Sequence, residues 1–221
     1  MTTWQASPGR WKSLQILNNP RHRLVAILFT VAALPASADD WMYREEVIRE
    51  PDPGRFSVCF DHSCKTIVTR SFSGQEWQRI TASLQTPASV AADERTAIAL
   101  GIARMEQAVG EKTGTTGDKG GNLTGFGEQG QMDCIDESNN TTTYLKLLQL
   151  DGLLKFHEVR GRSTRFGLFA GMPHTTAVIR DIATRQDYAV DSWFFDNGEL
   201  PVIMPLEEWE TGWSPDDERH E

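Results

Sequence analysis

The stretch Gln131-Met132-Asp133-Cys134-Ile135-Asp136-Glu137-Ser138-Asn139-Asn140 decides how this chain is read. A glycine-rich segment leads into it, with eight glycines between positions 110 and 130. A regular apolar pattern leads out: Ile135, Thr142, Leu145 and Leu148 recur at three- and four-residue spacings, and Asp151-Gly152 closes the run. That periodicity predicts a helix whose N-terminus carries Cys134. A thiol there faces unpaired backbone N–H groups and the positive end of the helix dipole, which favour the nucleophilic thiolate. The plain alternative is a cysteine serving as a small buried hydrophobe.

Downstream, Leu153 to Val159 reads as a strand and Arg160 to Gly171 as a polar connection. His174–Ile182 and Asp187–Phe195 read as the arms of a hairpin. Strand parity supplies a test, because His174 and Asp191 share a face only if the turn between the arms holds an even number of residues. A four-residue turn at Ile182–Arg185 sets His174 opposite Trp193, with Asp191 two rows along, and a two-residue turn sets His174 and Asp191 directly opposite. Cysteine, histidine and aspartate in this order suggest a thiol nucleophile activated by a base.

Upstream, Gly74 to Ile80 begins a short helix that stops before Pro87. Asp93 is the expected N-cap of a longer helix running to Gly110. Gly110 to Gly130 is expected to be a mobile loop bordering the site. It carries no phosphate-binding glycine pattern, and Asp118 and Asn122 lack EF-hand spacing, so no cofactor or metal is expected.

Residues 1–38 differ from the rest. They hold Arg10, Lys12, Arg21 and Arg23 and no acid. The apolar run Leu24–Leu34 follows, then Pro35-Ala36-Ser37-Ala38. This is the pattern of a secretory signal cleaved after Ala38, with an uncleaved N-terminal anchor as the alternative. Removing those four basic residues takes the net charge from −9 to −13. So acidic a chain disfavours nucleic acid or anionic lipid as a partner and leaves no stable membrane insertion after cleavage. Residues 39–90 supply a hairpin and a short helix, residues 91–221 the core with a C-terminal extension, and the two form one compact domain.

Export to an oxidising periplasmic or extracellular compartment predicts paired cysteines. Cys59 and Cys64 flank a short turn, and a disulfide would brace it locally. The other possibility, a metal held by Cys59, His62 and Cys64, lacks a fourth donor nearby. Cys134 is then the odd thiol, paired between molecules or kept for its reactivity.

The segments Asp133-Cys134-Ile135-Asp136, His174-Thr175-Thr176-Ala177-Val178-Ile179 and Tyr188-Ala189-Val190-Asp191-Ser192-Trp193 together resemble the core motifs of the bacterial transglutaminase-like cysteine proteases of the papain-like superfamily. The likeness runs from about Glu94 to Trp193. It implies an α+β, papain/transglutaminase-like core with the nucleophile-bearing helix packed on an antiparallel sheet. It also implies a Cys134–His174–Asp191 triad acting on a protein or peptide substrate. The Cys134 N–H would be one oxyanion donor, and Gln131 or Gln129 is the candidate for a second. Asp136 departs chemically, because a carboxylate there opposes thiolate formation. A catalytically silent binding or scaffold domain of the cell envelope is the alternative, and a small cell-wall amidase with another third residue is a further one.

Overall fold

The computed structural model describes residues 44–122, 127–168 and 172–215, so the expected leader at 1–38 lies outside the described residues. The fold is α+β. A central helix is covered on one side by a two-stranded hairpin and on the other by a four-stranded antiparallel sheet.

That helix, written α4 in chain order, spans Cys134–Leu150. Asp133 caps it: one carboxylate oxygen accepts from the Ile135 and Asp136 N–H groups, while Asp136 reaches back to the Asp133 N–H. This reciprocal cap satisfies donors that the first turn otherwise leaves open. The far end closes at Asp151 and Gly152, the latter at φ 70°. From Asp136 to Tyr144 every residue is buried, polar ones included. Thr142 and Thr143 donate to the carbonyls one turn back, and Asn140 pairs with both backbone groups of Cys59 at 2.8 Å. Such pairing lets polar side chains occupy a core.

The hairpin is β1 (Phe56–Phe60) against β2 (Thr66–Arg70), and the Cys59–Cys64 disulfide closes its turn. Two short helices follow, α1 (Gly74–Ile80) and α2 (Ala82–Gln85). Ser73 and Glu76 form a capping box at the first. Helix α3 covers Ala91–Thr113. It begins at Ala91 rather than after Asp93, and no side chain caps it, because the N-cap position is held by Val90, whose side chain has no polar atom. It also runs past Gly110 to Gly114, whose φ of 84° ends it. Gly110 is helical and lacks a side chain for a packing reason: a Cβ there would lie 3.0–3.2 Å from Asn197 and Thr116.

The sheet order is β3-β4-β5-β6, formed by His157–Leu168, Met172–Asp181, Asp187–Asp191 and Val202–Pro205. Strand β3 corrects the expected strand at 153–159, since it starts later and absorbs the supposed connection. Its run of Arg160, Arg162, Ser163, Thr164 and Arg165 suits an edge strand that keeps many positions polar. Between β4 and β5 the register pairs Arg180 with Asp187 and Ala177 with Val190, and the Asp181 N–H donates to the Gln186 carbonyl. Four residues, Ile182–Arg185, therefore make the turn. The expected C-terminal wrap consists of β6 and α5 (Leu206–Glu210), which buries Trp209 completely. Among the described residues, no helix is long and apolar enough to cross a membrane.

Candidate active site

The N-terminus of α4 is held from outside by the disulfide turn. Asp61, His62, Ser63 and Cys64 all have φ between 52° and 66°, a left-handed run that L-residues avoid unless something fixes it. Here it is fixed by carboxylates. Asp136 accepts from the His62 and Cys64 N–H groups at 2.8 and 2.6 Å, and Asp133 accepts from the Ser63 N–H and hydroxyl. The disulfide and the two acids flanking Cys134 thus form one brace.

Cys134 is the free cysteine of the three and is half-buried. The backbone N–H of Thr175, the residue after His174, favours its thiolate. The expected ease of thiolate formation is not what this setting provides. Burial pushes the thiol up to about 12; the Thr175 N–H opposes that rise, while the Asp133 and Asp191 charges add to it. The helix start offers less relief from that burial than the sequence implies. Asp133 already occupies the first-turn N–H groups and brings negative charge to the positive helix end, offsetting the dipole. Asp136 is itself pushed up to about 7, chiefly by burial and then by Asp133.

His174 and Asp191 meet on one sheet face, with Nε2 2.7 Å from Oδ2 and both residues about 2 % exposed. A carboxylate can only accept, so Nε2 carries the proton and Nδ1 presents a lone pair. That Nδ1 is buried and makes no hydrogen bond among the described residues. The rings of Trp193, Phe194 and Trp209 pack around the imidazole at 4.7, 5.2 and 5.4 Å between centroids. Asp191 is fixed from two further sides, by the Trp193 N–H on Oδ1 and by Trp209 Nε1–H on Oδ2 at 2.7 Å. Arg165 supports Trp209 in turn, donating to the Trp209 and Trp213 carbonyls with its guanidinium 4.2 Å from the Trp209 ring. Trp209 reads from sequence only as a packing residue, and nothing local marks it as a partner of Asp191.

Gln131 is occupied elsewhere. Its amide nitrogen donates to the Gly117 carbonyl, and its oxygen accepts from the Lys119 N–H and from Asn122. It pins the glycine-rich loop, whereas Gln129 is exposed. The described part of that loop is packed rather than mobile. The Met132 N–H donates to Asp118, and a Cβ on Gly120 would lie 2.5 Å from the backbone at Phe194. Beneath it sit three buried acids from three elements: Glu106 on α3, Asp118 in the loop and Glu137 on α4. Burial pushes Glu106 up to about 7 and Asp118 up to about 6. It raises Glu137 further, helped by the Glu106, Asp118 and Asp136 charges. Among the described residues, no group of three or more His, Cys, Asp and Glu side chains is placed to hold a metal ion.

The site therefore defines an α+β protein with a half-buried thiol at the start of α4 and a buried, carboxylate-anchored imidazole on β4, a strand that packs against that helix. Comparison with protein-family models, with curated proteins and with solved structures finds no match in any of the three.

Proposed function

We propose that the chain is an exported thiol-dependent acyl-transfer enzyme of transglutaminase-like, papain-like character, acting as a peptide or amide hydrolase. Cys134 is the nucleophile, His174 its base, and Asp191 the group that fixes the imidazole tautomer. The observation that carries this reading is the asymmetry of His174. One nitrogen is anchored on Asp191, the other is buried with no hydrogen-bond partner among the described residues, and the N–H of the next residue, Thr175, favours the Cys134 thiolate.

The chemistry runs from a neutral resting thiol. As sulfur attacks the acyl carbon, Nδ1 takes the thiol proton and later returns it to the leaving amine. Asp191 stabilises the imidazolium in between, and the surrounding aromatic rings keep that charge away from water. The Cys134 N–H, at a helix start, is the oxyanion donor. The acidic balance of the chain supports a protein or peptide substrate over nucleic acid.

One observation favours the second reading, a silent scaffold domain of the cell envelope. The thiol is pushed up to about 12, and no hydrogen bond links it to the imidazole. Alkylation rate against pH separates the two. An enzyme gives a Cys134 profile that falls to much lower reactivity near neutral pH in His174→Ala. Identical profiles in wild type and variant would leave the scaffold.

A further inference from the structure

A cavity of about 370 Å³ opens next to the start of α4, walled by Ser63, Ile135, Thr164, Phe166, Pro173 and Thr175, with Arg44 also on its wall. Its position follows from the chain. Ile135 is the residue after Cys134, and Pro173 and Thr175 stand on either side of His174. By strand alternation those two point away from the face that carries the imidazole. The cavity therefore reaches Ile135, the neighbour of Cys134, on the sheet face opposite the His174–Asp191 pair, a place for the remainder of an attacked substrate.

Its polar groups are already spent. The Thr164 and Thr175 hydroxyls bond each other at 2.9 Å, and the Ser63 hydroxyl donates to Asp133 at 3.1 Å. A wall whose hydroxyls are satisfied offers an incoming polar group nothing in return for its lost water. What remains open is apolar: Ile135, Pro173 and Phe166, the last a phenyl ring 77 % exposed. Arg44 is the one cation on the wall, 3.6 Å from Glu46, and it disfavours a positively charged occupant. A volume near the lower end of the range for ligand sites, about 300–1,000 Å³, suits one or two side chains rather than a whole cofactor. A second cavity of about 300 Å³, between α1 and α3, is lined by Glu76, Arg79, Arg104 and Glu111 and includes no residue of the site.

We propose that this cavity is the specificity pocket of the site, and that it takes a bulky uncharged apolar side chain one or two residues from the attacked carbonyl of an extended peptide. The proposal rests on the acyl-transfer reading for its chemistry but not for its binding, and the test uses that separation. N-acetyl-Xaa-glycinamides with Xaa as Leu, Phe, Ser or Lys are titrated into the full chain carrying Cys134→Ala, with binding followed by tryptophan fluorescence. The matching chloromethyl ketones are then reacted with the unsubstituted chain. In that reaction Cys134 sulfur forms a bond to the methylene carbon, chloride leaves with the electron pair, and the thiol proton passes to the imidazole and on to solvent.

Leu and Phe peptides should bind and react about tenfold or more better than Ser, with Lys the poorest, since filling or leaving an apolar pocket has effects of that size. Phe166→Ala, at an exposed position that does not threaten the fold, should shrink the Leu-to-Ser ratio several-fold. Equal binding of Leu and Ser peptides, or a ratio indifferent to Phe166→Ala, overturns the pocket. Selective binding by Cys134→Ala alongside a thiol inert to every ketone would keep the pocket and remove the enzyme.

Discussion

Two buried histidine–carboxylate pairs stand among the described residues, and they differ in one nitrogen. His157 lies under α3 with Nδ1 2.9 Å from Glu94, and its Nε2 faces the Arg95 guanidinium at 3.2 Å. Glu94 also accepts the backbone N–H groups of Lys155, Phe156 and His157. Every polar atom of that ring is used, and the pair fastens the start of β3 to α3. His174 has the same kind of partner at a similar distance, yet its Nδ1 is left open in an aromatic surround. The contrast teaches that a buried His–acid pair is not itself a sign of chemistry. An imidazole held at one end and unoccupied at the other can move a proton; one held at both ends is a fastener.

The sharpest way to break the comparison is to remove each ring. His174→Ala should slow Cys134 alkylation at neutral pH by about 10²–10⁴, the usual contribution of a positioned base, with little change in melting temperature. His157→Ala should do the reverse, lowering stability and leaving the rate per folded chain unchanged. Parallel stopped-flow labelling and thermal melts read both. Next in size, Glu94→Ala should destabilise by about 3 kcal/mol in a denaturant titration, because it strands several buried donors at once. A loss under 1 kcal/mol would mean that the fastener is not one.

The two kinds of buried acid should also give opposite pH signs. Burial opposes ionisation of Glu94, but His157 and the Lys155 and Phe156 N–H groups outweigh it and hold the carboxyl low. Its stabilisation is present above its ordinary value near 4.5 and is lost as pH falls. Glu106, Asp118 and Glu137 are raised, so their contribution is present at low pH and is lost as pH climbs, for Asp118 and Glu106 through about 6 and about 7. The melting temperature should drop by roughly 5 °C between pH 5 and 8, and Glu106→Gln should flatten that slope. A flat profile in the parent chain would refute the shared burial of charge.

The smallest expected effect sharpens the picture most. Trp209→Phe keeps the ring but removes the Nε1–H from Asp191, a bond worth about 1 kcal/mol. Alkylation at neutral pH should fall by about fivefold and its pH midpoint should move. A change in melting temperature with an unmoved midpoint would reduce Trp209 to packing.

How much of this was legible in the sequence depends on whether the signal was local. Helix α4 was, because Asp133, the three- and four-residue spacing and Asp151-Gly152 are local features that tertiary packing then reinforced. The condition for His174 and Asp191 to share a face was legible too, since parity ties it to an even turn without any knowledge of the core, but the turn's length came only with the register. Strand β3 was missed because its edge position lets arginines and threonines stand where an interior strand needs apolar residues. The raised thiol was missed chiefly because burial cannot be read from a local segment, and also because the dipole argument counted N–H groups that Asp133 had already taken. Glu106, Asp118 and Glu137 look like ordinary surface acids in three separate segments, and only the fold turns them toward one another.

The disulfide brace has a quantitative consequence. The chain has three cysteines and two are joined, so a folded, oxidised sample offers one mole of sulfhydryl per mole of protein. Any thiol-directed reagent is then a titrant, its end-point counting sites that carry an intact Cys134. An end-point near three equivalents would report a reduced bridge in the same measurement. Purity of the chemistry and completeness of oxidation can thus be read from a single stoichiometry, without knowing the substrate.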